Sequence, residues 1–261
     1  MFMSFLSKAL SKVGIGAAKV DAILDSSTLS PGEDISGVID IKGGSVEQQI
    51  NKLDLDVYCN YFVEIEDEEG ETDIQEHFCK INSWKIEQSF VIEAGEQRQI
   101  PFSFQLSHQA PISVGKSTTW LKTNLDIDFA LDKSDKDYFN VVANEMQAEV
   151  FNALQDLGFE LVEAECEGYD NHHDDLPFIQ EFEFKARGGD FRGRLKELEM
   201  VMFSNEHELV LRLEVDRKIK GIGGFFAKAF GRDEVKVNTR IDQSNIGDVQ
   251  DILYTIIDDN C

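Results

Sequence analysis

Residues Leu53 to Ile65 read LDLDVYCNYFVEI, and this stretch decides the fold class. Leu53, Leu55, Val57, Cys59, Tyr61, Val63 and Ile65 alternate with Asp54, Asp56, Tyr58, Asn60, Phe62 and Glu64. A strand sends successive side chains to opposite faces, so a period of two predicts a long strand with one buried face. The same alternation recurs at Ile100, Phe102, Phe104 and Leu106, and again at Leu121, Thr123, Leu125, Ile127 and Phe129. Shorter strands are expected at Lys19–Asp25, Ile35–Lys42 and Trp84–Ile92. Turn chemistry separates them at Ser30-Pro31-Gly32-Glu33, Lys42-Gly43-Gly44, Glu68-Glu69-Gly70 and Ala94-Gly95-Glu96. Strands broken by turns in this rhythm point to a β-sandwich, and the lack of βαβ alternation argues against a nucleotide-binding parallel sheet.

The pattern changes after the polar run Asp132 to Asp137, which reads as the approach to a domain boundary. Met146, Val150, Ala153, Leu154 and Leu157 then recur at helical spacing, with Gly158 placed to stop the helix. Strands resume at Phe159–Glu167, Phe178–Ala186, Leu195–Ser204, Glu208–Arg217 and Glu234–Asp242. Ile246, Val249, Leu253, Ile256 and Ile257 predict a closing amphipathic helix capped by Ser244 or Asn245. The expected organisation is two domains, residues 1–140 and 145–261.

Fifty acidic against 25 basic residues give a net charge of -25, a field that repels polyanions and sets nucleic acid aside as a partner. Cys59, Cys79, Cys166 and Cys261 form no C-x-x-C pair and no secreted-scaffold spacing, as expected of small thiols in a reducing cytoplasm. No run is long and apolar enough to suggest a spanning helix or a signal peptide, so a cytoplasmic location is expected.

Several runs, KVDAIL at Lys19, SPGEDISG at Ser30, GGSVEQQI at Gly43, TWLKTNLDIDFALDKSDKDYF at Thr119, ALQDLGFEL, PFIQEFEF and RGRLKELEMVMF, together resemble the bacterial sporulation-control family of the stage-zero M type. The resemblance spans nearly the whole chain. It implies two arrestin-like β-sandwich domains and a regulatory or scaffolding role without catalysis, and it supplies no ligand residues.

The motifs that suggest chemistry are weak. Gly221-Ile-Gly-Gly-Phe-Phe-Ala227 imitates a dinucleotide loop, but Lys218 and Lys220 crowd its entry and Gly231 leaves room for about two helical turns. The acidic run Glu64 to Glu71 lacks EF-hand spacing, and Asn171-His-His-Asp-Asp175 has no second ligand pair. His77-Phe78-Cys79 places a thiol near an imidazole without a third group. No catalytic residue, metal site or cofactor is expected.

Charge segregation says more. Arg217 to Arg232 carries five cations and no acid, and Met1 to Val20 carries three cations and no acid. Both stretches are amphipathic, which makes Phe2, Phe5, Lys8, Lys12, Lys218, Lys220, Phe225, Phe226, Lys228, Phe230 and Arg232 candidates for a contact surface. A protein partner fits it. An anionic membrane at the inner face is the alternative, and a metal-dependent protein the third reading. Asp126 and Asp128 alternate with apolar neighbours late in the first domain, where they are candidates for fixing an interdomain angle. The expected function is therefore a cytoplasmic scaffold that binds a protein of unknown identity, through sheet edges or the basic aromatic segments.

Overall fold

A computed structural model describes residues 17–66, 72–86, 89–128, 133–169, 176–217 and 234–261. It is mainly β and sandwich-like, as the alternation predicts. The strands are β1 (Lys19–Leu24), β2 (Thr28–Leu29), β3 (Asp34–Lys42), β4 (Gln48–Glu66), β5 (Thr72–Ile86), β6 (Phe90–Ile92), β7 (Gln97–Gln105), β8 (Thr119–Ile127) and β9 (Lys133–Val141). They are followed by α1 (Glu145–Asp156), β10 (Phe159–Gly168), β11 (Phe178–Ala186), β12 (Leu195–Ser204), β13 (Glu208–Arg217) and β14 (Glu234–Asp242). A 3₁₀ turn (Ile246–Asp248) and α2 (Val249–Asp259) close the chain.

The residues group into two compact units. The first holds residues up to Asn60, Phe78–Ala110 and Thr118–Val141, and the second holds Tyr61–His77, Pro111–Ser117 and Val142–Cys261. The change of pattern read after Asp137 thus falls beside the Val141/Val142 boundary. Two earlier segments nevertheless go with the second unit, because Tyr61 stacks on Phe178 and Phe62 pairs with Glu167 in parallel register.

In the first unit β1, β3 and β7 form an antiparallel sheet, with Ala22 opposite Ile39 and Ile39 opposite Ile100. β4 carries β5 and β6 and pairs antiparallel with β8, which pairs with β9. The inward faces meet in a core that includes Ala22, Ile35, Ile39 and Ile41 from one sheet and Leu53, Leu55, Val57, Leu121 and Leu125 from the other. Each fully buried aliphatic side chain contributes about 1.5–3 kcal/mol before chain entropy is counted.

Lys133 to Asp137, most of the polar run read as the approach to a domain boundary, begin β9, which ends at Val141. Its residues alternate as a strand does, and the Asp135 carboxylate accepts the Ala22 N–H of edge strand β1 at 3.2 Å. Charged strands survive at a sheet edge, where one side of the ladder is open. The strand read at Trp84–Ile92 also divides: Trp84 lies in β5, which runs to Ile86, and β6 begins at Phe90.

The second unit is an antiparallel run of β10, β11, β12, β13 and β14. Phe182, Phe184, Leu198, Met200, Leu211 and Leu213 on its inner face share a core with Val150, Leu154, Leu253 and Ile257 of α1 and α2. Helix α1 starts with a capping box: the Asn144 carboxamide accepts the Gln147 N–H and the Gln147 carboxamide accepts the Asn144 N–H, each at 3.0 Å. It stops at Gly158, whose φ of 90° is open to glycine, and whose carbonyl accepts the N–H groups of Arg187 and Gly188. The cap expected of Ser244 or Asn245 is absent. Asn245 closes a turn instead, accepting from Asp242 N–H at 2.8 Å and donating to the Arg240 carbonyl, and α2 begins at Val249.

Candidate protein-interaction surface

From Lys52 onward on β4, and on β8 and β9, the even-numbered residues face away from the core, and antiparallel register aligns them. Tyr58 lies opposite Trp120, and Trp120 lies opposite Tyr138. Tyr58 stacks on Trp120 with centroids 5.9 Å apart and planes 11° apart. Phe78 of β5 meets the same indole edge-on at 5.4 Å and 82°, and Tyr138 lies at 5.9 Å from it. Four rings thus form one row across four strands of the first unit. The Lys136 ammonium sits 3.7 Å from the Trp120 ring centroid and 4.4 Å from that of Tyr138. Each aromatic pair contributes about 0.5–1.5 kcal/mol beyond area, and an exposed cation over a ring about 0.5–1 kcal/mol.

The row is built to be seen from outside. Trp120 is only 5% exposed yet belongs to neither apolar core, since its cover comes from Phe78, Tyr58, Tyr138 and Lys136. Phe78 and Tyr138, at 58% and 61%, are the most exposed large hydrophobic residues among those described. Below the rings runs a charged row: Asp56 lies opposite Lys122 and Lys122 opposite Lys136. Asp56 accepts the Ser83 hydroxyl at 2.7 Å and pairs with Lys80 at 3.5 Å. An apolar platform rimmed by lysines suits an apolar anchor flanked by carboxylates.

The residues expected at a contact surface from the sequence, Phe2, Phe5, Lys8, Lys12, Lys218, Lys220, Phe225, Phe226, Lys228, Phe230 and Arg232, lie outside the described residues. So do Asn171–Asp175 and positions 67–71 of the acidic run. Asp126 and Asp128 are both exposed within the first unit. Asp126 accepts from the Asn51 carboxamide at 3.4 Å, and the Asp128 N–H donates to the Gln49 carbonyl at 2.9 Å. Burial pushes the Cys79 thiol above its usual range, the reverse of what a nucleophile needs.

The outer face of the second unit's sheet is charged rather than aromatic. A cavity of about 440 Å³ there is lined by Tyr169, Glu181, Arg212, Glu214 and Lys236, among others. Arg212 donates to the Tyr169 hydroxyl at 3.3 Å and stacks over Phe203, and Lys236 pairs with Glu214 at 2.7 Å. Burial first, then the carboxylates of Glu167, Glu214 and Glu183, push the Glu181 carboxyl up to about 7. A carboxyl raised from 4.5 holds its proton in the folded state over that window. The stability it contributes is fully present below about 4.5 and is lost as pH rises through about 7. Glu181→Gln is expected to flatten the loss by about 1 kcal/mol between pH 5 and pH 8, a value screened down because the group is only half-buried. Urea midpoints of both proteins across that range check it, and parallel profiles would refute it.

Known proteins resemble this chain in sequence and fold along nearly its whole length. The family model described as SpoOM protein matches residues 6–219. The chain belongs to the SpoOM family. This SpoOM chain is 38% identical over 259 residues to the sporulation-control protein spo0M of Bacillus subtilis (strain 168), covering 98% of each chain. The crystal structure of Spo0M from Bacillus subtilis superposes with a TM-score of 0.81 at 35% identity, covering 95% of this chain and 100% of that one. No helix among its described residues is long and apolar enough to cross a membrane.

Proposed function

We propose that this SpoOM-family chain is a non-catalytic regulatory protein of sporulation-control type that acts by binding another protein, with the aromatic row as its docking surface. The observation that carries the reading is Phe78 and Tyr138 held half-open on either side of a sealed Trp120. A soluble sheet ordinarily turns polar side chains outward, and a contiguous apolar patch that stays exposed marks a place that is covered part of the time. Lys122 and Lys136 give the patch local positive charge on an acidic chain, so it selects a partner whose apolar anchor is bordered by Asp or Glu.

The test is cross-linked capture from the native cell with the wild type and a Phe78→Ser/Tyr138→Ser variant. Both side chains are more than half exposed, so the variant should fold, at a cost of about 1–3 kcal/mol for the two ring pairs lost from Trp120. The expected result is a set of proteins recovered by the wild type and lost, at least tenfold, by the variant. Identical recovery by two folded proteins would sink the reading.

A further inference from the structure

Apart from the aromatic face, the first unit gathers three carboxylates where its two sheets come together at an edge. Asp21 lies on edge strand β1, and Asp135 and Asp137 lie on β9. Their nearest oxygens all fall within 4.8 Å of one another. Asp135 is held in place by the Ala22 N–H at 3.2 Å. Across the ladder from Asp135, on the same inward face, stands Thr123. Thr123 is 0% exposed and its hydroxyl oxygen has no hydrogen-bond partner. The Oδ2 atom of Asp137 is likewise buried and unpartnered.

We propose that Asp21, Asp135 and Asp137 form a binding site for a divalent cation, calcium by preference, with the Thr123 hydroxyl as a further oxygen at its inner wall. Buried hydroxyls and carboxylate oxygens are seldom left without partners, since each such group costs about 1–3 kcal/mol. A cation satisfies several at once. Oxygens up to 4.8 Å apart match the span of two ligands across a calcium ion, which takes its oxygens at about 2.4 Å. Calcium also accepts an irregular donor set completed by water, whereas magnesium demands a tighter octahedron. Crowding of like charge points the same way: Asp21 and Asp137 are both raised by burial and by neighbouring carboxylates, so a cation would find its ligands under mutual repulsion. Bound there, the ion would tie β1 to β9 and close that edge of the sandwich.

The experiment is a thermal unfolding series at pH 8 on chelator-treated protein, with about 5 mM calcium or magnesium chloride, alongside calorimetric titration with calcium. The expected result is a rise of about 5 °C with calcium, a smaller rise with magnesium, and a one-to-one stoichiometry. Asp135→Asn/Asp137→Asn should lose the calcium response while unfolding no earlier than the wild type without metal, because repulsion is relieved. Should that variant fail to fold, Asp21→Asn, on an exposed residue, should weaken calcium binding at least tenfold. A wild type indifferent to calcium overturns the proposal. So does an undiminished response in the variants, which would mean adsorption elsewhere on an acidic surface.

Discussion

Trp120→Ala is expected to cost the first unit about 3 kcal/mol and to abolish partner capture together with it. The indole is the one ring in the row touched by all the others: Tyr58 stacks on it, Phe78 meets it edge-on, and Tyr138 and Lys136 close over it. Removing it leaves four side chains without support and a hollow on the sheet. Trp120→Phe should keep most of the stability, since a smaller ring still fills part of the space. The measurement is urea unfolding followed by fluorescence of Trp84, the other tryptophan of the chain and a resident of the same unit. A loss of 3 kcal/mol corresponds to a midpoint shift of about 1–3 M. An unchanged midpoint would mean that the ring covers nothing that matters. The comparison with Phe78→Ser/Tyr138→Ser separates the two contributions, because those outer rings are expected to carry recognition at a smaller cost to the fold.

Gly158→Ala should be as damaging in the second unit. At a φ of 90° an alanine pays about 1 kcal/mol or more in backbone strain alone. Its Cβ would also press on the Gly188 carbonyl carbon, 2.6 Å from the Gly188 oxygen and 2.8 Å from the Gly189 nitrogen. These are backbone atoms that cannot swing aside, so the combined loss is expected to reach about 3 kcal/mol. Gly193→Ala is the control: its φ is 80°, yet nothing lies within 4 Å of the added carbon, so about 1 kcal/mol is expected. The helical circular dichroism signal reports on this unit, which holds both α1 and α2. Equal losses for the two variants would show that crowding at the α1 terminus is unimportant.

Much of the fold was legible in the sequence wherever local pattern and burial agree. Leu53, Leu55 and Val57 alternate because one face of β4 meets a core, and Gly158 marks a helix end because its backbone angle demands it. The strand at Lys133 to Asp137 was hidden because a strand with charges on both faces carries no alternation of hydrophobicity. The candidate surface was only half visible. Alternation alone put Tyr58 on the outer face of its strand, but the row exists only through the register that sets Trp120 and Tyr138 beside it. Registers between strands some sixty residues apart are decided by packing and turns, and a single chain does not spell them out. The carboxylate group of Asp21 with Asp135 and Asp137 is further still from local pattern, since it joins strands of different sheets.

The four cysteines lend themselves to a practical use. Cys59 and Cys166 are sealed in the interior, and burial pushes the Cys166 thiol up to about 12, so neither should react with an alkylating reagent while the protein is folded. That leaves Cys79 and Cys261 as handles. Cys79 directly follows Phe78 on β5 and points to the opposite face of that strand, so a Cys261→Ser chain can carry a fluorophore behind the aromatic platform, where it leaves the rings free and reports on the strand that holds Phe78.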